Sequence, residues 1–335
     1  MVPALYDTTS LMKDYSHIRN AHIRTYAQAC DELGIPYKLG LKTRQLYLTT
    51  KSGSNVYIYK AATPLNSQSS VILAKKKQAV HQLLDEQGIS VPKQIRIKTE
   101  QDLEKFIDEI KDIVVKPADS SGGKGITVLP ARKDIHNAFT HARKYSRQVL
   151  AEQYVSGENY RFLVLDGSVI AVALRTPPRI IGDGVSTLRA LFNDKNTENR
   201  SQGLPKIPDS SITWDIVKTQ GFTETDIVPA GTQISLRLTA NLSLGGSVTD
   251  VTEDCLDEYK ELAIAAAKTV GLRLAGIDII AENIATAGRP AFVIETNGAP
   301  GMRIHYKDWK GAERKVGKKI VEQINLLPVV QETPF

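Results

Sequence analysis

Two strand-like stretches, "AGIDII" and "FVIETN", flank the polar turn "NIATAGRP", and each carries an acid among apolar residues, Asp278 and Glu295. A buried carboxylate without a partner is too costly to be accidental. Pairing the stretches antiparallel, with the turn centred between Thr286 and Ala287, sets Asp278 opposite Glu295 and Ile280 opposite Val293. Asn297, two residues beyond Glu295, shares their face because side chains alternate with period two. Like charges placed directly opposite destabilise a sheet unless something positive lies between them. Two carboxylates and an amide oxygen form a hard donor set that suits magnesium, which keeps waters and completes its shell with substrate phosphates. The same residues also read as a half-exposed hairpin whose acids face water, with Asn297 a turn residue before "GAPG". The hairpin by itself does not choose.

Two further stretches carry chemistry. In "VVKPADSSGGKGI", residues 114–126, Lys116 ends an apolar strand and a Ser-Ser-Gly-Gly loop follows. Glycines let backbone N–H groups approach a phosphate, and a lysine supplies a point charge. It is not a Walker A loop, since Gly123-Lys124 precedes Gly125 rather than Ser or Thr and a strand follows instead of a helix. A flexible turn with a solvated lysine is the competing reading. "AEQYVSGENYRFLVLDG", residues 151–167, reads either as a strand edge offering its backbone to an adenine ring with a polar group near the ribose, or as a strand leaving a domain boundary.

These residues need a scaffold, and the chain is long enough for one. Its 335 residues, 41% hydrophobic, support a substantial core and two or three domains. The net charge of +6 is modest, and no stripe of Lys and Arg interleaved with aromatics marks a nucleic-acid surface. The two cysteines, Cys30 and Cys255, lack metal-ligand spacing, and Cys30 falls in step with Ile23, Ala27 and Leu33 as helix core. The first residues lack a signal-peptide apolar run, and no stretch is long and apolar enough to span a bilayer, so a cytoplasmic protein with no membrane contact is expected. Residues 16–34 read as an amphipathic helix ending near Gly34, and "LYLTT" and "VYIYK" as a hairpin. Helices are expected from about 76 to 87, at "EQDLEKFIDEI" and at "DIHNAFTHARKYS". Asp166-Gly167 marks a hairpin, and "DEYKELAIAAAKTVG" a helix near the acidic pair. Residues 190–230 are polar and predict loops and short helices over a surface. The alternation of strands and helices predicts an α/β unit with a mixed sheet.

In order along the chain stand Lys116 and its glycine loop, "EQYV", Asp278, then Glu295-x-Asn297. Together with "TPLNS", "RTPPRIIGDGVSTLRAL" and "NLSLGGSVTDVT", this set resembles the ATP-grasp superfamily of ATP-dependent carboxylate-amine ligases over residues 62–327, in particular the ATP-grasp domains of cyanophycin synthetase and bifunctional glutathione synthetase. The resemblance implies an α/β (α+β) ATP-grasp fold. Two α/β subdomains, residues 71–150 and 151–330, would clasp ATP, preceded by a short helix and hairpin region over residues 1–70 serving substrate or oligomer contacts.

It implies ATP and Mg2+ (Mn2+ in its place) as cofactors, with Asp278, Glu295 and Asn297 as metal ligands. Lys77 and Lys116 would contact phosphates, with Lys75 and Lys76 competing for the first of these roles. Ser120, Ser121, Gly122 and Gly123 would close over the nucleotide. Glu152, Gln153, Tyr154 and Val155 would hold the adenine, and either Glu158 or Asn159 the ribose. Arg175 and Asn241 would face the transferred phosphoryl group, although Arg175 also reads as a surface ion pair. The stretch "NGAPGMRIH" is similar to the substrate loop of D-alanine:D-alanine ligase, yet Gly276 stands where that enzyme carries an arginine. Arg303 or Arg161 would have to supply that charge. His305 reads as a base for an amine or as a hydrogen bond to substrate. Expected partners are an amino acid or peptide carboxylate and an amine, with a second copy of the chain compatible. A kinase using the same cradle, a ligase acting on a protein or peptide terminus, and a non-catalytic nucleotide-binding module are the alternatives.

Overall fold

The computed structural model describes residues 6–8, 14–40, 42, 44–118, 125–128, 134–202, 204–237, 240, 242–305 and 314–328. An N-terminal antiparallel sheet has the order β1 (Tyr6–Thr8), β2 (Tyr37–Gly40), β3 (Gln45–Thr49) and β4 (Asn55–Tyr59). Helix α1 (Ala21–Leu33) begins where the Asn20 side chain accepts the Ile23 N–H and ends at Gly34 in the left-handed region. The expected start at residue 16 is thus five residues early, because Asn20 caps the free N–H groups of the first turn. Cys30 is buried within this helix, as its spacing predicts.

Two helices, α2 (Gln68–Ala74) and α3 (Lys77–Glu86), lead into a second sheet. Its elements are β5 (Gln94–Ile97), α4 (Glu100–Ile110), β6 (Ile113–Pro117), β7 (Thr127–Val128), α5 (Ile135–Arg143) and β8 (Val149–Gln153), with strand order β5-β8-β6-β7. Thr99 and Asp102 form a reciprocal capping box that starts α4. Leu103 and Phe106 of α4 pack with Ala138 and Ala142 of α5 over Val115 and Ala151 of the sheet.

Residues 154–157 cross to the third and largest sheet. Its strands are β9 (Glu158–Leu165), β10 (Ser168–Thr176), β13 (Ser247–Asp250), β14 (Leu274–Ala281) and β15 (Ala291–Asn297), in the order β13-β10-β9-β14-β15. Between β10 and β13 lie β11 (Arg179–Ile181), α6 (Leu188–Ser201), α7 (Ser211–Thr219) and β12 (Gln233–Ser235). The short helices expected over residues 190–230 are present, but they do not simply lie over a surface. The strands β11 and β12 pair, and Phe192, Trp214, Val217, Val228 and Ile234 form a core of their own. The helices look polar in sequence because each buries only one face. Helix α8 (Asp257–Thr269) precedes β14, and α9 (Val316–Asn325) closes the described chain. The expected mixed sheet is also corrected: every strand pair among the described residues is antiparallel.

The two faces of the large sheet do different work. Tyr160, Phe162, Val164, Ala275, Ile277 and Ile279 meet α8 through Tyr259, Ala263, Ala266 and Ala267. On the opposite face Leu163, Leu165, Ala171 and Leu274 join one core with α1, the N-terminal sheet and α9. That cover stops partway along β9. Beyond it the same face carries Asn159, Arg161, Arg175 and Asp278.

Candidate active site

One row of paired residues crosses all five strands: Glu295, Asp278, Arg161, Ala173 and Asp250. Directly paired residues share a face, so four ionisable side chains stand in line: two adjacent acids, then Arg161, then Asp250 beyond Ala173. Asp278 lies opposite Glu295 and Gly276 opposite Asn297, as the turn-centred pairing predicts. A β-bulge between Asp278 and Ile279 then sets Ile279 against Val293 and Ile280 against Phe292, which overturns the expected pairing of Ile280 with Val293. Bulges sharpen local twist and re-aim side chains, and this one adjoins the acids.

Asp278 is 5% exposed. Arg161 grips it through Nε to Oδ1 and through Nη2 to Oδ2 at 2.9 Å, and the Arg175 guanidinium reaches Oδ2 at 2.9 Å. Burial pushes the carboxyl up, but the two guanidiniums outweigh it and hold the group below the usual carboxylate range. Glu295 is half-buried, and Lys77 lies 3.4 Å away. The opposed acids are therefore neutralised by the protein's own cations, where the sequence had suggested metal alone. Asn297 donates to the Gly276 carbonyl at 3.4 Å, and its side-chain oxygen makes no hydrogen bond among the described residues.

Arg161 also answers the question raised by Gly276. A Cβ at that glycine would lie 2.9 Å from Pro300 Cβ, 3.1 Å from Arg161 Nη1 and 3.2 Å from its Cδ, so Pro300 and Arg161 together fill the volume a side chain there would take. Arg303 is exposed and is not the group in that space. Arg175 is held twice, at Asp278 and through Nε at 2.8 Å to the Asn159 side-chain oxygen Oδ1, which makes it an interior cation rather than a surface ion pair. Asn159 is thereby engaged, whereas Glu158 is more exposed and forms, among the described residues, an ion pair with Arg179 at 3.9 Å.

A cavity of about 400 Å³ opens beside the acids, lined by Lys75, Lys77, Ala118, Glu295, Asn297 and Ala299 among others. It lies where helices α2 and α3 and the end of β6 meet the β15 edge. Lys76 is not in its lining. Cavities of about 420 and 530 Å³ lie elsewhere, around α1, so volume alone does not select this one. The carboxylate and amide donors do. On the second sheet, Lys116 Nζ and Gln94 Nε2 each donate to Glu152 Oε2 at 2.6 Å. The backbone N–H groups of Gln153 and Tyr154 are spent on the Lys93 and Asp112 carbonyls, so Val155 is the first residue clear of the sheet. At the far end of the glycine loop, Gly125 has φ 72° and a Cβ there would lie 2.5 Å from the Tyr145 ring. Ser120, Ser121, Gly122, Gly123 and Asn241 lie outside the described residues.

The structure adds a group the sequence did not single out. Asp250 accepts from Arg314 Nη2 at 2.6 Å, and Arg314 Nη1 also reaches Glu253 at 2.6 Å. Only the acids of "DVTED" hinted at it.

The residues present suit a hard divalent cation by type: two carboxylates opposed on one row and an amide oxygen beside them. The guanidiniums of Arg161 and Arg175 compete for the same Asp278 oxygens, so a metal would have to displace them there.

Known proteins resemble this chain in sequence and in fold. Residues 59–156 match the sugar-transfer associated ATP-grasp model and residues 224–324 the RimK-like ATP-grasp domain. Cyanophycin synthetase of Trichormus variabilis is 35% identical over 78% of this chain and 31% of its own length. The glutathione biosynthesis bifunctional protein GshAB of Clostridium perfringens is 31% identical over 82% of this chain and 37% of its own. The crystal structure of a bifunctional glutathione synthetase from Pasteurella multocida superposes with a TM-score of 0.66 at 26% identity, covering 90% of this chain and 44% of that one. The chain thus spans about a third of the length of these curated relatives. With two ATP-grasp models matched in succession and the fold shared, it belongs to the ATP-grasp superfamily.

Proposed function

We propose that this chain is an ATP-dependent carboxylate-amine ligase joining amino acid or small peptide substrates, with ADP and phosphate as the other products. The observation that carries this reading is the charged row, in which Asp278, held by Arg161 and Arg175, lies opposite Glu295, and Glu295 with Asn297 lines a cavity between two sheets. Asp278, Glu295 and Asn297 would hold Mg2+, which when bound supplies charge neutralisation for the nucleotide's phosphates. Lys77 and Lys116 would bind phosphate oxygens as point charges. Residues 152–155, from the end of β8 into the crossing between sheets, would take the adenine, and Glu158 rather than the engaged Asn159 the ribose.

The two arginines do the chain's own chemistry in this reading. A substrate carboxylate oxygen attacks the γ-phosphorus and ADP departs, leaving an acyl phosphate. The amine nitrogen then attacks the carbonyl carbon and phosphate departs with the electron pair. Arg161 and Arg175, carried on packed strands and freed from Asp278 when the metal binds there, would face and stabilise the charge that builds up in both steps. No side-chain nucleophile is required, and both cysteines are buried. Residues 71–150 and 151–330 would form the two jaws, with residues 1–70 shaping the substrate side.

The test is ADP release from the purified chain with Mg2+, ATP and pooled amino acids and dipeptides, with mass spectrometry of the products. A product equal to two substrates minus water is expected, together with its loss in Glu295→Ala. A single phosphorylated substrate would replace the ligase by a kinase, and full activity in Glu295→Ala would remove the metal assignment.

A further inference from the structure

His305 ends the 3₁₀ turn Met302–His305 and is 5% exposed. Among the described residues neither ring nitrogen makes a hydrogen bond. A buried polar atom without a partner costs about 1–3 kcal/mol, and native interiors rarely tolerate one. Two on one ring indicate a group kept open for something else.

Its surroundings say what. The turn packs against β10, and Ile304 rests on the patch formed by Ala173, Leu242 and Val248. Strand β10 carries Ala173 of the charged row and Arg175, so the turn lies alongside that row, and the charges of Arg161, Arg175 and Asp250 act on the ring. Burial first, then Arg161, lowers its pKa to about 3, against Asp250, which raises it. The ring is neutral at neutral pH and offers one N–H and one lone pair. Arg161 and Arg175 can only donate. The nearby carboxylates are taken, Asp278 by those arginines and Asp250 by Arg314. His305 therefore brings an uncommitted acceptor to the place where an acyl group would be held.

We propose that His305 positions the amine substrate, its ring lone pair accepting a hydrogen bond from the nucleophilic nitrogen and aiming that nitrogen at the acyl carbon beside Arg161 and Arg175. The inference rests on the ligase reading. In the step it serves, the C–N bond forms, the bond from acyl carbon to phosphate oxygen breaks, and the nitrogen's proton passes to the departing phosphate. A ring so hard to protonate is a poor base for an ammonium, so its work is orientation of an uncharged amine.

Hydroxylamine separates the two half-reactions. It traps an activated carboxylate as a hydroxamate and, being small and nucleophilic at neutral pH, has little need of positioning. With the full chain, Mg2+, ATP and the amino acid pool, the wild type should give hydroxamate with hydroxylamine and amide without it. His305→Ala should lose the amide product by about 100-fold, the size of effect expected from a misplaced reactant. The KM for the amine should rise while that for ATP does not, and the hydroxamate should persist, which also reports a folded site. His305→Asn, whose amide oxygen can accept in place of Nδ1, should recover part of the loss. Equal loss of hydroxamate and amide, or undiminished amide, overturns the proposal. Absence of hydroxamate from the wild type would instead remove the ligase reading, and this inference with it.

Discussion

The opposed acids of the charged row should respond very differently to loss of charge. Asp278 and Glu295 are paired across β14 and β15, yet the Asp278 side chain is 7% exposed against 36% for Glu295. Asp278→Asn keeps the volume and removes the charge, which leaves two guanidiniums, 11% and 16% exposed, repelling each other with the weaker pull of the half-exposed Glu295 in place of their bound carboxylate. Removing one partner from a buried pair costs about 3–5 kcal/mol. Asn retains one oxygen that accepts a hydrogen bond, so the lower end, about 3 kcal/mol, is expected. Glu295→Gln disturbs only a half-exposed pair with Lys77 at 3.4 Å, for which about 0–1 kcal/mol is the expectation.

Urea unfolding in EDTA measures this, with the slope m checked for constancy so that a shifted midpoint reports stability. A second change, Arg175→Met in the Asp278→Asn background, should restore part of the loss, because it removes one of the two stranded cations. Adding Mg2+ and ATP at about 100 times the dissociation constant should stabilise the wild type by about 2.7 kcal/mol. Both single variants should lose that increment. An Asp278→Asn variant within about 1 kcal/mol of wild type in EDTA would refute the claim that the arginines depend on this carboxylate.

Two other outcomes follow from buried titratable groups. His305 has its pKa lowered from 6.5 to about 3 in the folded chain, so the unfolded chain takes up the proton first as pH falls. The stability its neutral form contributes is complete above about pH 6.5 and is lost progressively toward pH 3, by about 2 kcal/mol at pH 5. Urea midpoints from pH 8 to pH 5 should fall less steeply in His305→Gln, and parallel slopes would contradict the assignment. Burial pushes the thiols of Cys30 and Cys255 up to about 12 and about 11. Neither should react with a disulfide thiol reagent at pH 8 until denaturant is added, and rapid labelling of the native chain would show that these positions open.

The acidic hairpin was legible because everything that sets it is local: a turn, two apolar runs and a period of two. Its register holds at Asp278 and Glu295 and slips by one beyond the bulge, which no residue type in "FVIETN" announces. The helices at "EQDLEKFIDEI" and "DIHNAFTHARKYS" were legible for the same local reason. What neutralises Asp278 was not, since Arg161 lies 117 residues away and meets it only through the β9–β14 pairing. The core of residues 180–236 was hidden likewise, because Phe192 and Trp214, 5.1 Å apart by ring centroid, sit on separate helices that each look mostly polar.

One signal was present in the sequence and points to the site. Along β9 the alternate residues Asn159, Arg161, Leu163 and Leu165 share a face, and their character changes midway from polar to apolar. A face wholly against a core stays apolar, and one wholly in water stays polar. A switch within one strand marks the line where the covering layer ends. Here Leu163 and Leu165 belong to the core shared with α1 and α9, and Arg161 is the first residue past it. The border places an arginine at the edge of an apolar layer, desolvated enough to bind Asp278 at two points, and the strand's own alternation locates that edge.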